Sequence, residues 1–422
     1  MNLLFSLALK SLKYRKFSVL LTTFSIALSV ALFLSIEQIR VSARESFANT
    51  ISKTDLIVGG RGGSLQLLLY TVFRMGSATN NVSYKNYQKW SDNPAVAWTI
   101  PYSLGDSHRN FRVVATNDQF YAHYYFHGDR TVEFSSGHKP AGIFDVVLGY
   151  EVAKNLSYVQ GQKVVISHGY SEGGSILEHD NMPFTVVGIL HKTSTPIDSS
   201  LYISLEAMEA IHIDWQDGSA PIRGKETHPD QIKKEDIEIG TITSFLVGTK
   251  NRIDTLRLQR EINQFRDEPL LAIIPGVALS ELWTLMSYAE DALKIIALSV
   301  VIVGLIGMML AIYNSLNERR REMAILRASG AGQWTIYFLL LIESTGIACA
   351  GALSGLLLVY GFILAAKIPI ENAFGITLTI QSLSPFQLLY LCGVVLAGFI
   401  LGLIPAWRAY KNALSDGLSP KV

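Results

Sequence analysis

Cysteine is scarce in this sequence: Cys349 and Cys392 are its two cysteines among 422 residues, and both lie in apolar stretches. Two cysteines so placed exclude a disulfide framework, a C-x-x-C redox pair and a cysteine-rich zinc ribbon. An excess of charge is missing as well, because 36 lysines and arginines nearly balance 35 acidic residues and leave a net charge of +1. The chain therefore has no overall attraction for nucleic acids, and no nucleic-acid partner is predicted.

Motifs for nucleotide hydrolysis and for zinc-dependent hydrolysis are absent too. The sequence contains no G-x-x-x-x-G-K-[ST] and no H-E-x-x-H. Residues 59–64 are rich in glycine but lack the lysine that would contact a phosphate, so a flexible turn is predicted there. We therefore predict a chain that is not an enzyme and binds no cofactor, so that any energy source must come from another chain.

Charge is nearly absent from four long runs, at residues 17–36, 295–313, 334–366 and 385–407, in which Glu343 is the one charged residue. Each run can cross a bilayer, because about 20 apolar residues suffice. A signal peptide is the competing interpretation of the first run. Its apolar core would measure about 7–15 residues and would end at a small-residue cleavage site. The first run is longer and no clear site follows it, which favours a retained first span.

These runs predict an α-helical membrane protein with four transmembrane helices and a large α+β extracytoplasmic domain inserted between the first and second helices. Basic residues gather before the first run, between the second and third runs and after the fourth, which places these segments in the cytoplasm. We expect a bacterial inner-membrane protein with both termini inside and the large domain in the periplasm. The predicted segments are 1–16 (cytoplasmic), 17–39 (first transmembrane helix), 40–290 (periplasmic domain), 291–313 (second transmembrane helix), 314–333 (cytoplasmic loop), 334–366 (third transmembrane helix), 367–385 (short periplasmic loop), 386–406 (fourth transmembrane helix) and 407–422 (cytoplasmic tail).

The periplasmic segment is long enough to bury its own core, as one domain or as two subdomains. Short β-branched stretches at residues 163–167 and Phe184–Leu190 predict strands. Residues 206–211 and 251–265 have the apolar spacing of helices. The polar stretch 215–236 is predicted to be an exposed loop or insertion.

A charged island at residues 314–331 separates the second and third apolar runs. From Glu318 to Ala328 it has no glycine or proline, which predicts a short helix that ends at Gly330. Met323 and Leu326 recur at helical spacing, so the helix is amphipathic. A helix of this kind between two transmembrane spans can transmit the movement of a bound soluble partner to those spans. The alternative is a solvated, positively charged loop with no partner.

Within the spans, one acidic residue and two glycine pairs are candidate functional positions. Glu343 is interpreted either as structural, reaching interfacial water or pairing with a basic residue of the island, or as a proton or ion site. Gly351 and Gly355 are four residues apart, as are Gly398 and Gly402. Small residues at that spacing let helices approach closely in lipid, within one chain or between two.

All nine histidines lie in the periplasmic segment: His108, His123, His127, His138, His168, His179, His191, His212 and His228. His123 and His127 are four residues apart and would share one face of a helix, although their aromatic-rich surroundings could equally form a strand. A transition-metal site needs three or four converging ligands, and spacing offers only this pair. We therefore predict no metal site, with His123 and His127 as the candidates if one exists.

The island from Asn317 to Ala331 closely resembles the signature loop of the MacB/FtsX-like ABC transporter permeases. Residues 147–156 followed by 161–164, and Phe184–Leu190, are similar to the external-domain pattern of that family. Residues 404–409, Ile-Pro-Ala-Trp-Arg-Ala, resemble the family's ending after its last span. The resemblance covers nearly the whole chain, with the stretches in the same order.

This resemblance implies a type VII ABC transporter subunit without a fused ATPase. Such a permease pairs with a second permease, identical or related, and with cytoplasmic ATPase subunits, which would bind ATP and Mg²⁺. The island would carry the coupling helix that contacts the ATPase, formed by Asn317, Glu318, Arg319, Arg320, Arg321, Glu322, Met323, Ala324, Leu326, Arg327 and Gly330.

The family resemblance also implies mechanotransmission, in which ATP hydrolysis moves the periplasmic domains, for export, extraction or envelope-associated transport. A periplasmic adaptor, lipoprotein or metal-binding protein is a further expected partner. Residues 55–70 look like a branch of the family found with zinc-responsive neighbours, which implies a zinc-related context. The alternative is an FtsX-like membrane scaffold that regulates a periplasmic protein, such as a cell-wall hydrolase, without moving a solute.

Overall fold

The computed structural model of the chain describes residues 2–169, 178–215, 227–318, 320–374 and 382–415. The chain forms two compact units. We call them the helical unit, built from Met1–Ser42, Met286–Pro369 and Leu378–Val422, and the mixed unit, built from Ala43–Leu285 and Ile370–Thr377.

The described helices account for nearly all of the helical unit and for small parts of the mixed unit. In chain order they are α1 (Asn2–Tyr14), α2 (Lys16–Thr50), α3 (Ser64–Val72), α4 (Tyr84–Ser91), α5 (Gln119–His123), α6 (Tyr150–Leu156), α7 (Leu205–Ala210), α8 (Arg252–Asn263), α9 (Pro275–Glu318), α10 (Arg320–Ala328), α11 (Gln333–Phe374) and α12 (Pro385–Ser415).

The described strands all belong to the mixed unit. They are β1 (Leu56–Gly60), β2 (Val82–Ser83), β3 (Val96–His108), β4 (Phe111–Thr116), β5 (Tyr125–Phe126), β6 (Arg130–Thr131), β7 (Phe134–Gly137), β8 (Asp145–Leu148), β9 (Lys163–Val164), β10 (Phe184–Leu190), β11 (Ser200–Ser204), β12 (Thr241–Ile242), β13 (Ser244–Thr249) and β14 (Leu270–Ile273). Short 3₁₀ helices occur at Pro196–Ser199, Pro229–Gln231 and Lys234–Asp236.

Four helices, α2, α9, α11 and α12, are long and apolar enough to cross a membrane. Lipid offers backbone groups no hydrogen-bond partners, so a chain that crosses it must bond within itself, as a helix does. These helices have 35, 44, 42 and 31 residues. At about 1.5 Å per residue, each is longer than the hydrocarbon core of about 30 Å. Each helix therefore continues beyond the apolar run that predicted it.

The mixed unit is organised around a ten-stranded sheet. Its main path has the order β14-β1-β13-β3-β4-β11-β8-β10-β7, and β9 pairs with β10. The pairs β4/β11 and β8/β10 are parallel, and the other neighbours are antiparallel. The long strand β3 pairs with β13 along its first half and with β4 along its second half. It therefore joins the two halves of the sheet.

Apolar side chains cover both faces of this sheet. Successive residues of β1 show the pattern, because Leu56 and Val58 belong to one buried cluster and Ile57 to the other. Helices α4, α6, α7 and α8 contribute to the first cluster, and α3 and α5 contribute to the second. Burying one such side chain stabilises the fold by about 1.5–3 kcal/mol, so both layers support the sheet.

The elements predicted for the periplasmic segment are found, with small shifts at their ends. Strand β10 occupies Phe184–Leu190 as predicted, while β9 is limited to Lys163–Val164 and Ser167 forms an isolated bridge. The two predicted helices are α7 at Leu205–Ala210 and α8 at Arg252–Asn263. Much of the predicted loop at 215–236 lies outside the described residues.

The turn predicted at residues 59–64 is wrong for its first two glycines. Gly59 and Gly60 belong to β1 and pair with β14. A Cβ at Gly59 would lie 2.6 Å from Leu67 Cδ1, and a Cβ at Gly60 would lie 2.6 Å from the Asn80 carbonyl oxygen. Both positions therefore serve close packing, for which a side chain leaves no room.

Gly149 explains part of the motif at residues 147–156. It lies between β8 and α6, and its backbone nitrogen donates to the Ser200 carbonyl oxygen at 2.9 Å. A Cβ at this position would lie 2.5 Å from the Asp198 carbonyl oxygen and 2.7 Å from its carbonyl carbon. The strand can turn into the helix here only because no side chain separates the two backbones.

Gly149→Ala is expected to lower the free energy of unfolding by about 1–3 kcal/mol, because the added methyl group would push against backbone atoms. Gly240→Ala is the matched control, since no atom lies within 4 Å of its ideal Cβ. Thermal unfolding of the purified full chain, followed by circular dichroism, compares the two. Equal melting temperatures would contradict the close approach described at Gly149.

Candidate functional site

The charged island contains the predicted helix, α10, between two membrane-length helices. It follows the end of α9 at Glu318 and precedes the start of α11 at Gln333. Gly330 ends this helix with φ +96°. The Gly330 nitrogen donates to the Arg327 carbonyl oxygen, and the Ala331 nitrogen donates to the Leu326 carbonyl oxygen, each at 2.9 Å. These two bonds form a Schellman motif, which closes a helix at a left-handed glycine.

The surface of α10 is partly apolar. Ile325 is 69% exposed and Ala324 is exposed, whereas Met323, Leu326 and Arg327 are half-buried. Ile325 therefore adds an apolar side chain to the exposed surface of a charged helix. Sequence reasoning selected Ala324 and omitted Ile325. Arg319 lies outside the described residues, and so do the side chains of Asn317, Glu318, Arg320, Arg321 and Glu322, so their contact with an ATPase stays a prediction.

Glu343 is fully buried in the helical unit and forms an ion pair. Its Oε2 accepts a hydrogen bond from Arg15 Nη2 at 3.2 Å. Arg15 lies between α1 and α2, and its side chain is 18% exposed. A buried carboxylate without a compensating charge costs several kcal/mol, so this pair stabilises the charge within the apolar unit. The sequence suggested a pairing with the island, and Arg15 was not singled out.

The two glycine pairs lie where helices of the same chain touch. A Cβ at Gly351 would lie 2.6 Å from Ile26 Cγ2, and one at Gly355 would lie 2.7 Å from the Ala27 carbonyl oxygen. These contacts join α11 to α2. Side chains at Gly398 and Gly402 would collide with Ala348 and Ser344, which joins α12 to α11. Of the two alternatives for these glycines, the described contacts correspond to packing within the chain.

His123 and His127 do not share a helical face. Helix α5 ends at His123, whose ring stacks on Trp98 at 5.5 Å between centroids. His127 follows β5 with φ +45°. Among the described residues, the group of potential ligands that converges is Asp106, His168, His179 and His212, which we call the histidine cluster.

The environment of the histidine cluster perturbs two of its imidazoles in opposite directions. Burial lowers the pKa of His179 to about 4, against the opposing charge of Asp106. Burial alone would also lower the pKa of His212, but its close contact with Asp106, at 3.4 Å, and the charge of that residue raise it. Sequence spacing could not reveal this group, because its members are separated by long stretches of chain; the one available signal was that every histidine lies in the periplasmic segment.

Comparison with known families agrees with this architecture. The MacB-like periplasmic core domain matches residues 19–265, and the FtsX-like permease C-terminal domain matches residues 294–414. The first match covers more than half of the chain, and the second includes α10 and Glu343. Membrane-length helices together with a periplasmic α/β domain define a multi-pass membrane protein of the permease type. The chain belongs to the MacB/FtsX-like permease family.

Two similar proteins are bacterial exporters. The pyoverdine export ATP-binding/permease protein PvdT of Pseudomonas entomophila is 26% identical over 322 residues, 75% of this chain and 44% of that protein. The macrolide export ATP-binding/permease protein MacB of Nitrosomonas europaea is 23% identical over 273 residues, 63% of this chain and 36% of that protein. This chain thus spans less than half the length of either relative.

Among solved structures, the periplasmic region of MacB from Actinobacillus actinomycetemcomitans is similar to this chain with 9% identity and a TM-score of 0.34. The similarity covers 55% of this chain and 94% of that one.

Arg15→Met is expected to lower the free energy of unfolding by about 3–5 kcal/mol, because it removes the positive partner of a fully buried carboxylate. The double variant Arg15→Met with Glu343→Met should recover most of this loss, since apolar residues of similar size often replace a buried ion pair at little cost. Thermal unfolding in detergent gives the comparison. A double variant as unstable as the single variant would show that the pairing of charges is not what matters.

Proposed function

We propose that this chain is the transmembrane permease subunit of an ABC transporter of MacB/FtsX type, driven by a separate cytoplasmic ATPase subunit. The observation that carries the proposal is α10, a short helix with an exposed isoleucine between two membrane-length helices. It lies inside the region that matches the FtsX-like permease domain. A soluble partner that binds α10 would act on α9 and α11 through short connections.

The continuity of α9 supports transmission of movement rather than passage of a solute through the chain. Ala278 and Leu279, near its start, are buried in the core of the mixed unit. The same helix continues without a break to Glu318, next to α10. A movement of α10 would therefore act on α9, whose other end is anchored in the mixed unit. We infer mechanotransmission, in which ATP hydrolysis moves the periplasmic domain.

The pairing of Glu343 also favours this mechanism. A polar pathway through lipid normally needs several ionisable groups that face a cavity. Glu343, the one charged residue of the four apolar runs, instead bonds to Arg15. We infer that this acid is structural and that the work is export, extraction or envelope-associated transport at the periplasmic surface.

The proposed assembly contains a second permease, identical or related, and ATPase subunits that bind ATP and Mg²⁺. The positive charge of the N-terminal segment, of α10 and of the C-terminal tail supports a cytoplasmic position for all three in the bacterial inner membrane. The chain itself would be non-catalytic. The resemblance of residues 55–70 to one branch of the family supports a zinc-related context, with a periplasmic adaptor, lipoprotein or metal-binding protein as a further partner.

Ile325→Asp is expected to weaken co-purification of the ATPase subunit and to lower the ATPase activity of the assembly by at least about tenfold, because a charge at the centre of a packed interface costs 1.4 kcal/mol or more. Ala324→Asp, on the same exposed surface, should act in the same direction. Affinity purification of the tagged chain, followed by ATPase assays in detergent or lipid, provides the measurement.

Ile253→Asp is the matched control, because Ile253 is 83% exposed on α8 of the mixed unit. This variant makes the same chemical change on the proposed periplasmic side of the membrane and should leave ATPase association unaltered. If Ile325→Asp and Ala324→Asp both retained full association and activity, α10 would not be the coupling point. If the assembly instead retained a periplasmic hydrolase or its activator and stimulated it without moving a solute, the scaffold function would replace transport.

A further inference from the structure

The histidine cluster is assembled from three separate parts of the mixed unit. Asp106 lies on β3, His168 and His179 lie between β9 and β10, and His212 follows α7. Backbone hydrogen bonds hold Ser167, next to His168, against β3: Ser107 and Ser167 exchange N–H···O bonds of 3.1 and 2.8 Å. The His179 nitrogen donates to the Ile166 carbonyl oxygen at 2.9 Å, which brings it beside His168. The backbone therefore fixes the positions of these side chains.

The potential ligand atoms are separated by distances that suit a single small cation. Asp106 Oδ1 lies 3.6 Å from His168 Nδ1, and Asp106 Oδ2 lies 3.4 Å from His212 Nε2 and 4.0 Å from His179 Nε2. His168 Nδ1 lies 3.1 Å from His212 Nε2. Tetrahedral Zn²⁺ with bonds of about 2.0–2.1 Å requires ligand atoms about 3.3 Å apart. All four atoms lie within 4.8 Å of one another, so small side-chain adjustments complete the geometry.

Several atoms of the cluster are buried without a hydrogen bond. Within the cluster, Asp106 Oδ2 and both ring nitrogens of His179 make no hydrogen bond, although Asp106 Oδ2 lies 3.4 Å from His212 Nε2. The His179 side chain is 0% exposed and that of Asp106 is 2% exposed. Buried polar atoms are normally satisfied, because leaving them unpaired forfeits the hydrogen bonds that water provided. A cation bound to Asp106 Oδ2 and His179 Nε2 would satisfy two of these three atoms.

The surroundings orient the imidazoles as metal ligands usually are. His212 Nδ1 lies 2.7 Å from the Met208 carbonyl oxygen, to which it donates. That bond leaves the lone pair on Nε2, the atom that faces Asp106. Asp106 Oδ1 accepts a hydrogen bond from the Gly169 nitrogen at 3.1 Å. The Trp215 ring stacks on His168 and packs against His179, each with centroids 4.6 Å apart, and so covers the cluster with an apolar surface.

A cation can reach the cluster from one side. A cavity of about 330 Å³ is lined by Asp106, His168 and His212, together with residues of β3 and α7. The side chains of His168 and His212 are 37% and 27% exposed, whereas His179 closes the inner side. The cluster is therefore open to the cavity on the side of His168 and His212 and buried on the side of His179.

We propose that Asp106, His168, His179 and His212 form a binding site for a divalent transition-metal cation, with Zn²⁺ as the best match. Three imidazoles and one carboxylate in a tetrahedral arrangement are ligands that Zn²⁺ favours, and Cu²⁺ and Ni²⁺ are the expected competitors. Four protein ligands leave no open position for a reacting water, so the site binds metal without hydrolytic activity. The bound cation ties β3 to the segment before β10 and to the end of α7.

This inference goes beyond the proposed coupling to an ATPase and depends on the mixed unit alone. Its experiment uses the full chain in detergent, treated with a chelator and dialysed. Isothermal titration with ZnCl₂ is expected to show one equivalent per chain with a Kd below about 1 μM, as for structural zinc sites. Titration with Co²⁺ should produce the visible absorption of a tetrahedral ion, which reports the ligand geometry directly.

His168→Ala and His212→Ala are the test variants, because these residues are partly exposed and their loss is tolerated more easily than that of His179. Each should weaken Zn²⁺ binding by more than the 10–100-fold typical of changes to groups around the ligands. The double variant His123→Ala with His127→Ala is the matched control and should bind as the unaltered chain does. Melting temperatures measured in chelator establish that each variant is folded.

A fluorescence measurement locates the bound ion independently of the ligand variants. Cu²⁺ should quench the share of the emission that comes from Trp215, one of six tryptophans, and this quenching should largely disappear in Trp215→Phe, which removes the indole that covers the cluster. The proposal is overturned if the unaltered chain binds no Zn²⁺ at micromolar concentration. It is also overturned if folded His168→Ala and His212→Ala both retain the original affinity. Neither outcome would alter the ATPase measurements, so the two proposals fail separately.

Discussion

The cost of placing charge in hydrocarbon shapes this molecule more than any other constraint. Four helices are long enough to cross a membrane, and their apolar runs contain one charged residue, Glu343. That carboxylate is fully buried and bonds to Arg15. The remaining charge is sorted into segments between or beside the runs, and α10 is one of them. The predicted topology and the position of α10 between two spans both follow from this sorting.

Each unit buries charged or titratable side chains, and the ion pair and the histidine cluster differ in what compensates them. In the helical unit, the Arg15 guanidinium compensates the buried Glu343 carboxylate, which accounts for the pair as part of the structure. In the mixed unit, four potential metal ligands converge, and Asp106 Oδ2 and both ring nitrogens of His179 are buried without a hydrogen bond. Buried polar groups are normally satisfied by a partner. The convergence of ligands therefore distinguishes the proposed binding site from the ion pair.

Close contacts explain why glycine recurs at defined points in both units. Gly351 and Gly355 let α11 touch α2, and Gly149 lets a strand turn into a helix against neighbouring backbone. Lipid provides little hydrophobic drive between helices, so close van der Waals contact carries more of the packing in the helical unit. In the mixed unit, burial of apolar side chains on both faces of the sheet supplies the hydrophobic driving force. Glycine there serves mainly at turns between elements and in strands that lie close to other backbone or side-chain atoms.

The sequence predicted best what local physics determines. Long runs without charge became helices, Phe184–Leu190 became a strand from its own composition, and α10 ended at Gly330 because that position takes a positive φ. It predicted least where side chains distant in the chain meet. Arg15 and Glu343 are 328 positions apart in the sequence. Asp106 and His212 come from different elements of the mixed unit. The spacing of His123 and His127 suggested a helical pair, but the helix stops at His123 and separates them.

The account depends most on α10 lying on the cytoplasmic side, where an ATPase can reach it. Site-directed labelling tests this directly, with a membrane-impermeant maleimide and single cysteines at Ala324→Cys or Ile253→Cys in a background where Cys349 and Cys392 are serine. Ala324→Cys should be labelled in inverted membrane vesicles and protected in spheroplasts, and Ile253→Cys should show the reverse. Labelling of Ala324→Cys from the periplasmic side would contradict the central claim.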